Sequence, residues 1–253
     1  MTKLQCTPEG YKQALKDIAD KGESALFRFY SMGRNFEKRR TVFSTQVLPF
    51  YQAHGNGRYR ESLDIGYGPG ALVMEAAKHF VWSYGIDVHG QDDFVHSIIM
   101  NRGCYNARFY TGDGRTLSPF IDNSFDLVYS WTVFMHMGTI AVVESYLKDI
   151  FRVLRPDGIA VIYFARMYRK KGHETKDEWL ESIDREHALP LYREKGPKKI
   201  QKINLTISMR WFEQTAEKYG FELVEKTAST RAVHAIEYYH GQHGVVLRKP
   251  KGD

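Results

Sequence analysis

A chain of 253 residues is long enough to bury a substantial core, either as one large α/β domain or as two small ones. Basic residues outnumber acidic ones by six, an excess that is compatible with anionic partners but does not require them. The two cysteines lie far apart and no apolar run reaches about 18 residues, which excludes a disulfide framework, a cysteine-rich zinc site and a membrane span.

No signal-like segment follows Met1, so we expect a cytoplasmic protein that has no membrane partner. Residues 1–60 carry no strand pattern and are predicted to form an N-terminal helical lid. One helix is predicted over Tyr11–Asp20, where Gly22 follows as a stop signal. A second is predicted over Phe36–Phe50, because its apolar residues fall on one stripe.

From Glu61 onwards, short apolar runs alternate with helical segments, which is the pattern of a parallel sheet covered by helices. The predicted strands are Leu63–Ile65, Val81–Val88, a strand around Phe109-Tyr110, Phe125–Ser130, Ile159–Phe164, Phe221–Lys226 and Val245–Leu247. The predicted helices between them are Ala71–Lys78, Asp92–Arg102, Ile140–Leu154 and a helix from Thr206 or Ser208 to Tyr219, and Arg155–Gly158 is predicted to be a turn.

Residues 165–205 differ in composition from the segments around them. They are polar and basic, with little periodicity and with helix breakers such as Gly172 and Pro190. We interpret them as an insertion and not as a separate domain. The single predicted domain then consists of the lid (1–60), a cofactor-binding core (61–164), a capping insertion (165–205) and a closing helix with strands (206–253).

The segment after the first predicted strand contains glycines at every second position, namely Gly66, Gly68 and Gly70, and Asp64 precedes them. Glycine lets the backbone turn sharply and lets a ligand approach without a Cβ in the way. The N-terminus of the following helix offers free N–H groups. The pattern therefore predicts a nucleotide or nucleoside site at the first βα turn of a doubly wound sheet. Because Gly66, Gly68 and Ala71 also fit G-x-G-x-x-A, a dinucleotide-dependent dehydrogenase is an alternative.

Taken together, six motifs in order resemble those of class I S-adenosylmethionine-dependent methyltransferases, in particular the type 11 kind, over roughly Glu61 to Leu247. They are Leu63–Gly70, Asp87 in Gly85–Val88, Asp113 in Thr111–Gly114, Ser124–His136, Leu154–Gly158 and Tyr219–Phe221. The resemblance implies an α/β, Rossmann-like, doubly wound and mostly parallel seven-stranded sheet whose last strand is antiparallel. It also implies S-adenosyl-L-methionine as the cofactor.

The resemblance assigns roles to the residues that match the motifs. Asp87 would accept hydrogen bonds from the ribose hydroxyls, and Asp113 would accept one from the adenine amino group. The alternative for Asp113 is a turn residue, because Asp-Gly pairs are common in turns. Asp64 would reach the ammonium of the methionine portion, directly or through water. The full predicted cofactor set is Asp64, Gly66, Tyr67, Gly68, Gly70, Asp87, Val88, Asp113, Gly114, Arg115, Ser130 and Trp131.

The sequence narrows the methyl acceptor by exclusion. The segment Ser130–Val133 lacks the Asn/Asp-Pro-Pro pattern that is typical of adenine-N6 methyltransferases. Neither cysteine is placed like the nucleophile of enzymes that methylate carbon 5 of a nucleic-acid base. The paired glutamates of protein arginine methyltransferases and the Asp and Asn ligands of metal-dependent enzymes are also missing from this region. A small-molecule acceptor methylated on oxygen or nitrogen remains, and no metal is expected.

The candidate acceptor residues are His136, Arg166, Arg169, His234 and Tyr238. His136 follows the fourth strand and is either a general base or a structural histidine. The two arginines would hold an anionic group, for instance on a sugar or a secondary metabolite. The alternatives are an RNA or protein methyltransferase that uses the basic surface, and a non-catalytic partner subunit that only binds the cofactor.

Overall fold

The structure is a computed structural model that describes residues 7–23, 25, 34–168, 174–195, 203–231 and 235–252. The described helices are α1 (Pro8–Ala19), α2 (Arg34–Gln46), α3 (Leu48–His54), α4 (Ala71–Ala76), α5 (Asp92–Asn101), α6 (Ile140–Val153), α7 (Lys176–Glu186) and α8 (Met209–Lys218), with a 3₁₀ turn at Phe134–His136. The described strands are β1 (Glu61–Ile65), β2 (Trp82–Asp87), β3 (Ala107–Thr111), β4 (Phe125–Ser130), β5 (Leu154–Ala165), β6 (Tyr192–Glu194), β7 (Leu205–Ile207), β8 (Glu222–Arg231) and β9 (Ala235–Arg248).

Seven of these strands form one sheet in the order β3-β2-β1-β4-β5-β9-β8. The pairs from β3 through β5 are parallel, whereas β9 runs antiparallel to both β5 and β8. The predicted fold, including its antiparallel last strand, is confirmed. Since the chain winds outward in opposite directions from β1 and β4, their carboxyl ends border the crevice where ligands bind in such sheets.

Alternating side chains of the central strands divide the core between the two faces of the sheet. On β5, Ile159, Val161 and Tyr163 pack with residues of α1 to α5, while Ile162 and Phe164 pack with residues of α6 to α8. All five are fully buried, and each such side chain contributes about 1.5–3 kcal/mol of hydrophobic stabilisation. Burial on both faces explains why these strands read as continuous apolar runs.

The helix predicted over Phe36–Phe50 is two helices in the structure. The chain breaks at Val47, whose backbone leaves the helical region at φ −128° and ψ −57°. Pro49 stands in the first turn of α3, where its missing N–H costs no hydrogen bond, but it could not continue α2. Helix α1 also begins earlier than predicted, because the Thr7 hydroxyl accepts a hydrogen bond from the Gly10 N–H at 3.1 Å and caps it.

The predicted turn Arg155–Gly158 lies inside β5 as a bulge. The pairing of β4 with β5 passes from Phe125–Leu154 to Leu127–Ile159, so the residues between them are extra on the β5 side. Asp157 in this bulge has a φ of +63°. The strand therefore extends further toward the N-terminus than the sequence predicts.

The insertion contains regular structure that its composition did not indicate. Helix α7 begins with a capping box, in which Thr175 and Glu178 each bond the backbone N–H of the other. Strands β6 and β7 pair antiparallel as a separate two-stranded ribbon. The division into lid, core, insertion and closing segment stays a prediction. In the described part of the chain, no helix is long and apolar enough to cross a membrane.

Candidate active site

A cavity of about 280 Å³ opens at the carboxyl edge of the sheet, beside the crevice between β1 and β4. Its walls are formed by the ends of β1 and β2, the loops after β3 and β4, the first turn of α1 and the first two turns of α6. Its lining consists of Thr7, Pro8, Tyr11, Ile65, Gly66, Ile86, Asp87, Val88, Gly114, Arg115, Val133, His136, Met137, Gly138, Thr139, Val142 and Tyr146. Of the predicted site residues, Gly66, Asp87, Val88, Gly114, Arg115 and His136 are among them.

The glycine loop after β1 needs its glycines for backbone geometry. Gly66, Gly68 and Gly70 have φ values of +81°, +50° and +77°, in the left-handed region that other residues rarely adopt. A Cβ on Gly66 would lie 2.2 Å from a methyl of Val133, whereas the position on Gly68 faces open space. The loop therefore lets β1 and the segment after β4 approach closely while leaving room beside Gly68.

Asp87 fastens this loop from the end of β2. Its two carboxylate oxygens accept hydrogen bonds from the Gly68 N–H at 2.9 Å and from the Val88 N–H at 2.6 Å. His89, which no sequence pattern indicated, holds the same glycine. Its Nδ1 accepts from the Gln91 N–H at 3.0 Å, so Nε2 carries the proton and donates to the Gly68 carbonyl at 3.2 Å.

The far end of the cavity is formed by Gly114 and the start of α1. A Cβ on Gly114 would lie 2.6 Å from Pro8 and 2.7 Å from Val88, so only glycine lets these groups approach so closely. Arg115 beside it lies 3.7 Å from the Glu9 carboxylate. Thr7, Pro8 and Tyr11 line the cavity from the predicted helical lid, but no sequence pattern indicates their role, because nothing local shows which helix residues reach the sheet edge.

Asp113 shapes the turn after β3. Its carboxylate accepts from the N–H groups of Arg115 and Thr116 at 2.8 and 2.7 Å and from the Thr116 hydroxyl at 2.9 Å. These bonds hold the pKa of Asp113 below its usual value against the opposing effect of burial. The side chain does not line the cavity, and its predicted contact with adenine stays a prediction.

Several other predicted cofactor residues do not belong to the cavity lining. The Ser130 hydroxyl donates to the Ile65 carbonyl at 2.9 Å and joins β4 to β1. Tyr67 is buried and its hydroxyl donates to Asp92 at 2.6 Å. Trp131 packs edge-on against Tyr163, with their ring centres 4.5 Å apart. These side chains support the site and do not face the cavity.

Asp64 and Gly70 also lie outside the lining. Burial, and next the nearby Asp87 carboxylate, raise the pKa of Asp64 well above its usual value. Gly70 stands at the start of α4, where a Cβ would meet Val95 at 2.9 Å. Their predicted roles toward a ligand stay predictions.

His136 and Tyr146 are the titratable side chains of the cavity on the β4 side. His136 is the last residue of the 3₁₀ turn, and its backbone N–H donates to the Val133 carbonyl at 2.8 Å. Burial raises the pKa of Tyr146, and the carboxylates of Asp113 and Asp87 add to the effect. The Tyr146 hydroxyl therefore keeps its proton at neutral pH, so His136 is the better proton acceptor of the two.

Of the predicted acceptor-binding residues Arg166, Arg169, His234 and Tyr238, only Arg166 has a side chain that the structure describes, and the predicted acceptor site stays a prediction. Arg166 follows β5 and is buried in an ion pair with Glu174, with only 2% of its side chain exposed, and it does not line the cavity. Arg169 and His234 lie outside the described residues. Tyr238 lies on β9, of which only the backbone is described at this position. Among the side chains that the structure describes, no group of His, Cys, Asp and Glu suits a metal ion.

The core of the chain is similar to known proteins. A family model described as a methyltransferase domain matches residues 63–162. A sterol 24-C-methyltransferase of Gibberella zeae is 32% identical over 152 residues, which are 53% of this chain and 37% of that protein. A sterol 24-C-methyltransferase of Schizosaccharomyces pombe is 23% identical over 239 residues, which are 86% of this chain and 56% of that protein. The chain thus spans about half the length of these relatives or less.

The fold has solved counterparts. The structure of an S-adenosylmethionine-dependent methyltransferase from Methanosarcina mazei matches with a TM-score of 0.58 and 16% identity, over 81% of this chain and 98% of that one. At this identity the likeness concerns the fold alone, and it agrees with the sheet order described above.

Proposed function

We propose that the protein transfers a methyl group from S-adenosyl-L-methionine to a small apolar molecule, and that residues 63–162, which match the family model of a methyltransferase domain, bind this donor. One observation carries the proposal. One cavity is lined by Asp87 and Gly114, which could bind the nucleoside of the donor, and by His136, which could accept a proton from the acceptor.

The donor side of the cavity fits the cofactor. Each Asp87 oxygen accepts one backbone N–H and has a further lone pair, so the carboxylate can still accept the two ribose hydroxyls. Pro8, Ile86 and Val88 offer apolar surface to an aromatic base. The open space beside Gly68 leaves the backbone accessible to the methionine portion.

The bound cofactor supplies an electrophilic methyl group on its sulfonium. The chain's own part is to orient the acceptor, to exclude water and to remove a proton. His136 would accept the proton of an acceptor hydroxyl or amine, since a neutral imidazole is a proton acceptor near neutral pH. The residues around it, Val133, Met137 and Val142, are apolar and would keep water from the reacting atoms.

The acceptor is proposed to be uncharged and largely apolar. On the β4 side the lining consists of Val133, His136, Met137, Gly138, Thr139, Val142 and Tyr146, none of which carries a permanent charge. Arg166 is the described arginine that was expected to hold an anion, and it already forms an ion pair with Glu174. The names of the two fungal relatives also concern an apolar small molecule, a sterol, which supports this class over an anionic sugar.

Transfer of a labelled methyl group tests the proposal. The protein would be incubated with methyl-labelled S-adenosylmethionine and a cell extract, and the products separated into RNA, protein and small molecules. The small-molecule fraction would then be partitioned between water and an organic solvent. We expect label in the organic phase. Label only in RNA or protein would replace the proposal by the macromolecular alternative, and donor binding without any transfer would indicate a cofactor-binding subunit.

Replacement of the proposed base separates its role from binding. His136→Gln should lower the transfer rate by about a hundredfold or more, the usual contribution of a general base, while the affinity for S-adenosylhomocysteine stays unchanged. His187→Gln is a matched control, because His187 is exposed at the end of α7 and away from the cavity lining. Equal rates for the two variants would remove His136 from the mechanism.

A further inference from the structure

The wall of the cavity that carries His136 is a short segment between β4 and α6. Five of the residues 133–139 line the cavity. The segment contains the 3₁₀ turn Phe134–His136. The turn has two internal hydrogen bonds, from His136 N–H to the Val133 carbonyl at 2.8 Å and from Met137 N–H to the Phe134 carbonyl at 3.4 Å. Single 3₁₀ turns have poor hydrogen-bond geometry, so the position of this wall depends on outside contacts.

Asn204, a fully buried residue just before β7, supplies two such contacts. Its backbone N–H donates to the Met135 carbonyl at 2.9 Å, and its side-chain Nδ2 donates to the His136 carbonyl at 3.0 Å. Both bonds satisfy carbonyls at the end of the 3₁₀ turn. They fix the peptide groups of the residue that is proposed to act as the base.

Glu194 on β6 supplies a third contact at the other end of the wall. Its Oε1 accepts the N–H of Ile140, the first residue of α6, at 2.8 Å. In the described structure the preceding residue, Thr139, makes no side-chain cap bond, so Glu194 takes the place of the missing cap. A carboxylate at this position is also favoured by the helix dipole.

The two residues belong to one hydrogen-bonded unit. Glu194 pairs with Leu205 in the β6–β7 ribbon, and the N–H of Lys195 donates to the Asn204 carbonyl at 2.7 Å. In the described part of the ribbon, none of the residues lines the cavity. The ribbon therefore affects the cavity by fixing the position of residues 133–139 and not by contacting a ligand.

We propose that the β6–β7 ribbon sets the acceptor side of the cavity, with Asn204 and Glu194 as positioning residues for His136. This inference rests on the proposed function, because it assumes that the wall 133–139 faces the acceptor. The donor-side residues Gly66, in the loop after β1, and Asp87, at the end of β2, do not contact the ribbon in the hydrogen bonds described above. Loosening the ribbon changes acceptor use and leaves donor affinity intact.

The test compares Glu194→Ala with Glu194→Gln, since Gln keeps the acceptor oxygen and Ala does not. Glu194 is exposed, so neither variant threatens folding. Methyl transfer from S-adenosylmethionine to the small-molecule fraction of a cell extract is measured at increasing amounts of extract. We expect Glu194→Ala to lower transfer at limiting extract by about threefold to tenfold, the loss of one hydrogen bond, and Glu194→Gln to restore it. Affinity for S-adenosylhomocysteine, measured by calorimetry, should stay within about twofold.

A second measurement does not depend on catalysis. Hydrogen exchange of the amides in residues 134–140 should be about threefold to tenfold faster in Glu194→Ala and in Asn204→Ala, and normal in Glu194→Gln. Unchanged exchange in both alanine variants, or equal transfer by all variants, overturns the inference. A parallel loss of donor affinity overturns it as well. If the unmodified protein transfers no methyl group to small molecules, the proposed function fails, and the exchange data still decide whether the ribbon holds the wall.

Discussion

Replacing Asp87 by Asn changes one atom at the centre of the proposed donor site. The aspartate oxygens accept the N–H groups of Gly68 and Val88, and both oxygens remain available to a ligand. An asparagine has one acceptor oxygen in place of two and carries no charge. One backbone N–H therefore loses its acceptor, and one ribose hydroxyl loses a charged partner.

The size of the effect follows from the bonds that are lost. A hydrogen bond to a charged group is worth about 1.5–3 kcal/mol. The loss of one such bond to the donor corresponds to a roughly tenfold to hundredfold higher Kd. The side chain is only partly exposed, so solvent screening does not remove the effect. We expect weaker binding of S-adenosylhomocysteine by about this factor.

Isothermal titration with S-adenosylhomocysteine measures the change directly and needs no acceptor. Asp93→Asn is a matched control, because Asp93 is exposed in the first turn of α5 and its replacement removes the same charge close by. Thermal unfolding of both variants shows whether the fold is retained. A folded Asp87→Asn protein that binds within about threefold of the unmodified one would refute the assignment of Asp87 to the donor.

Two further predictions concern stability. Gly66→Ala should lower the free energy of unfolding by about 2–4 kcal/mol, because the added Cβ stands on a left-handed backbone and also clashes with Val133. Gly57 also has a left-handed backbone, at φ +70°, but a Cβ there would meet nothing within 4 Å, so Gly57→Ala should cost only about 1–2 kcal/mol. Denaturant unfolding of the two variants decides this, and equal losses would show that Val133 moves aside. The pKa of Asp64 is raised in the folded protein, so between the ordinary carboxyl range and the raised pKa the folded protein keeps a proton on Asp64 that the unfolded chain has lost. The free energy of unfolding therefore falls as the pH rises through this range. Asp64→Asn removes that loss, and its stability advantage should grow with pH across this window; an advantage that is independent of pH would contradict the assignment.

The sequence by itself determined the seven strands of the main sheet and part of the donor side of the cavity, including Gly66 and Asp87. The glycine loop at Gly66 and the acidic residue Asp87 at the end of the next strand are local patterns, and each occurs at a fixed place in a βα unit. Since the carboxyl ends of parallel strands meet at one edge, their order along the chain is enough to bring them together. His136 was predicted because it follows the end of β4 by six residues, at the same edge of the sheet.

The tertiary structure decided which distant segments reach that edge. Pro8 approaches Gly114, and Asn204 bonds the carbonyl of His136, across separations of about a hundred and about seventy residues. Arg166, which looked available for an anionic acceptor, is buried against Glu174. Such contacts depend on how the lid and the insertion pack against the sheet, and the same polar composition also suits an exposed loop. Local propensity and periodicity carry no information on that packing, and only the folded chain does.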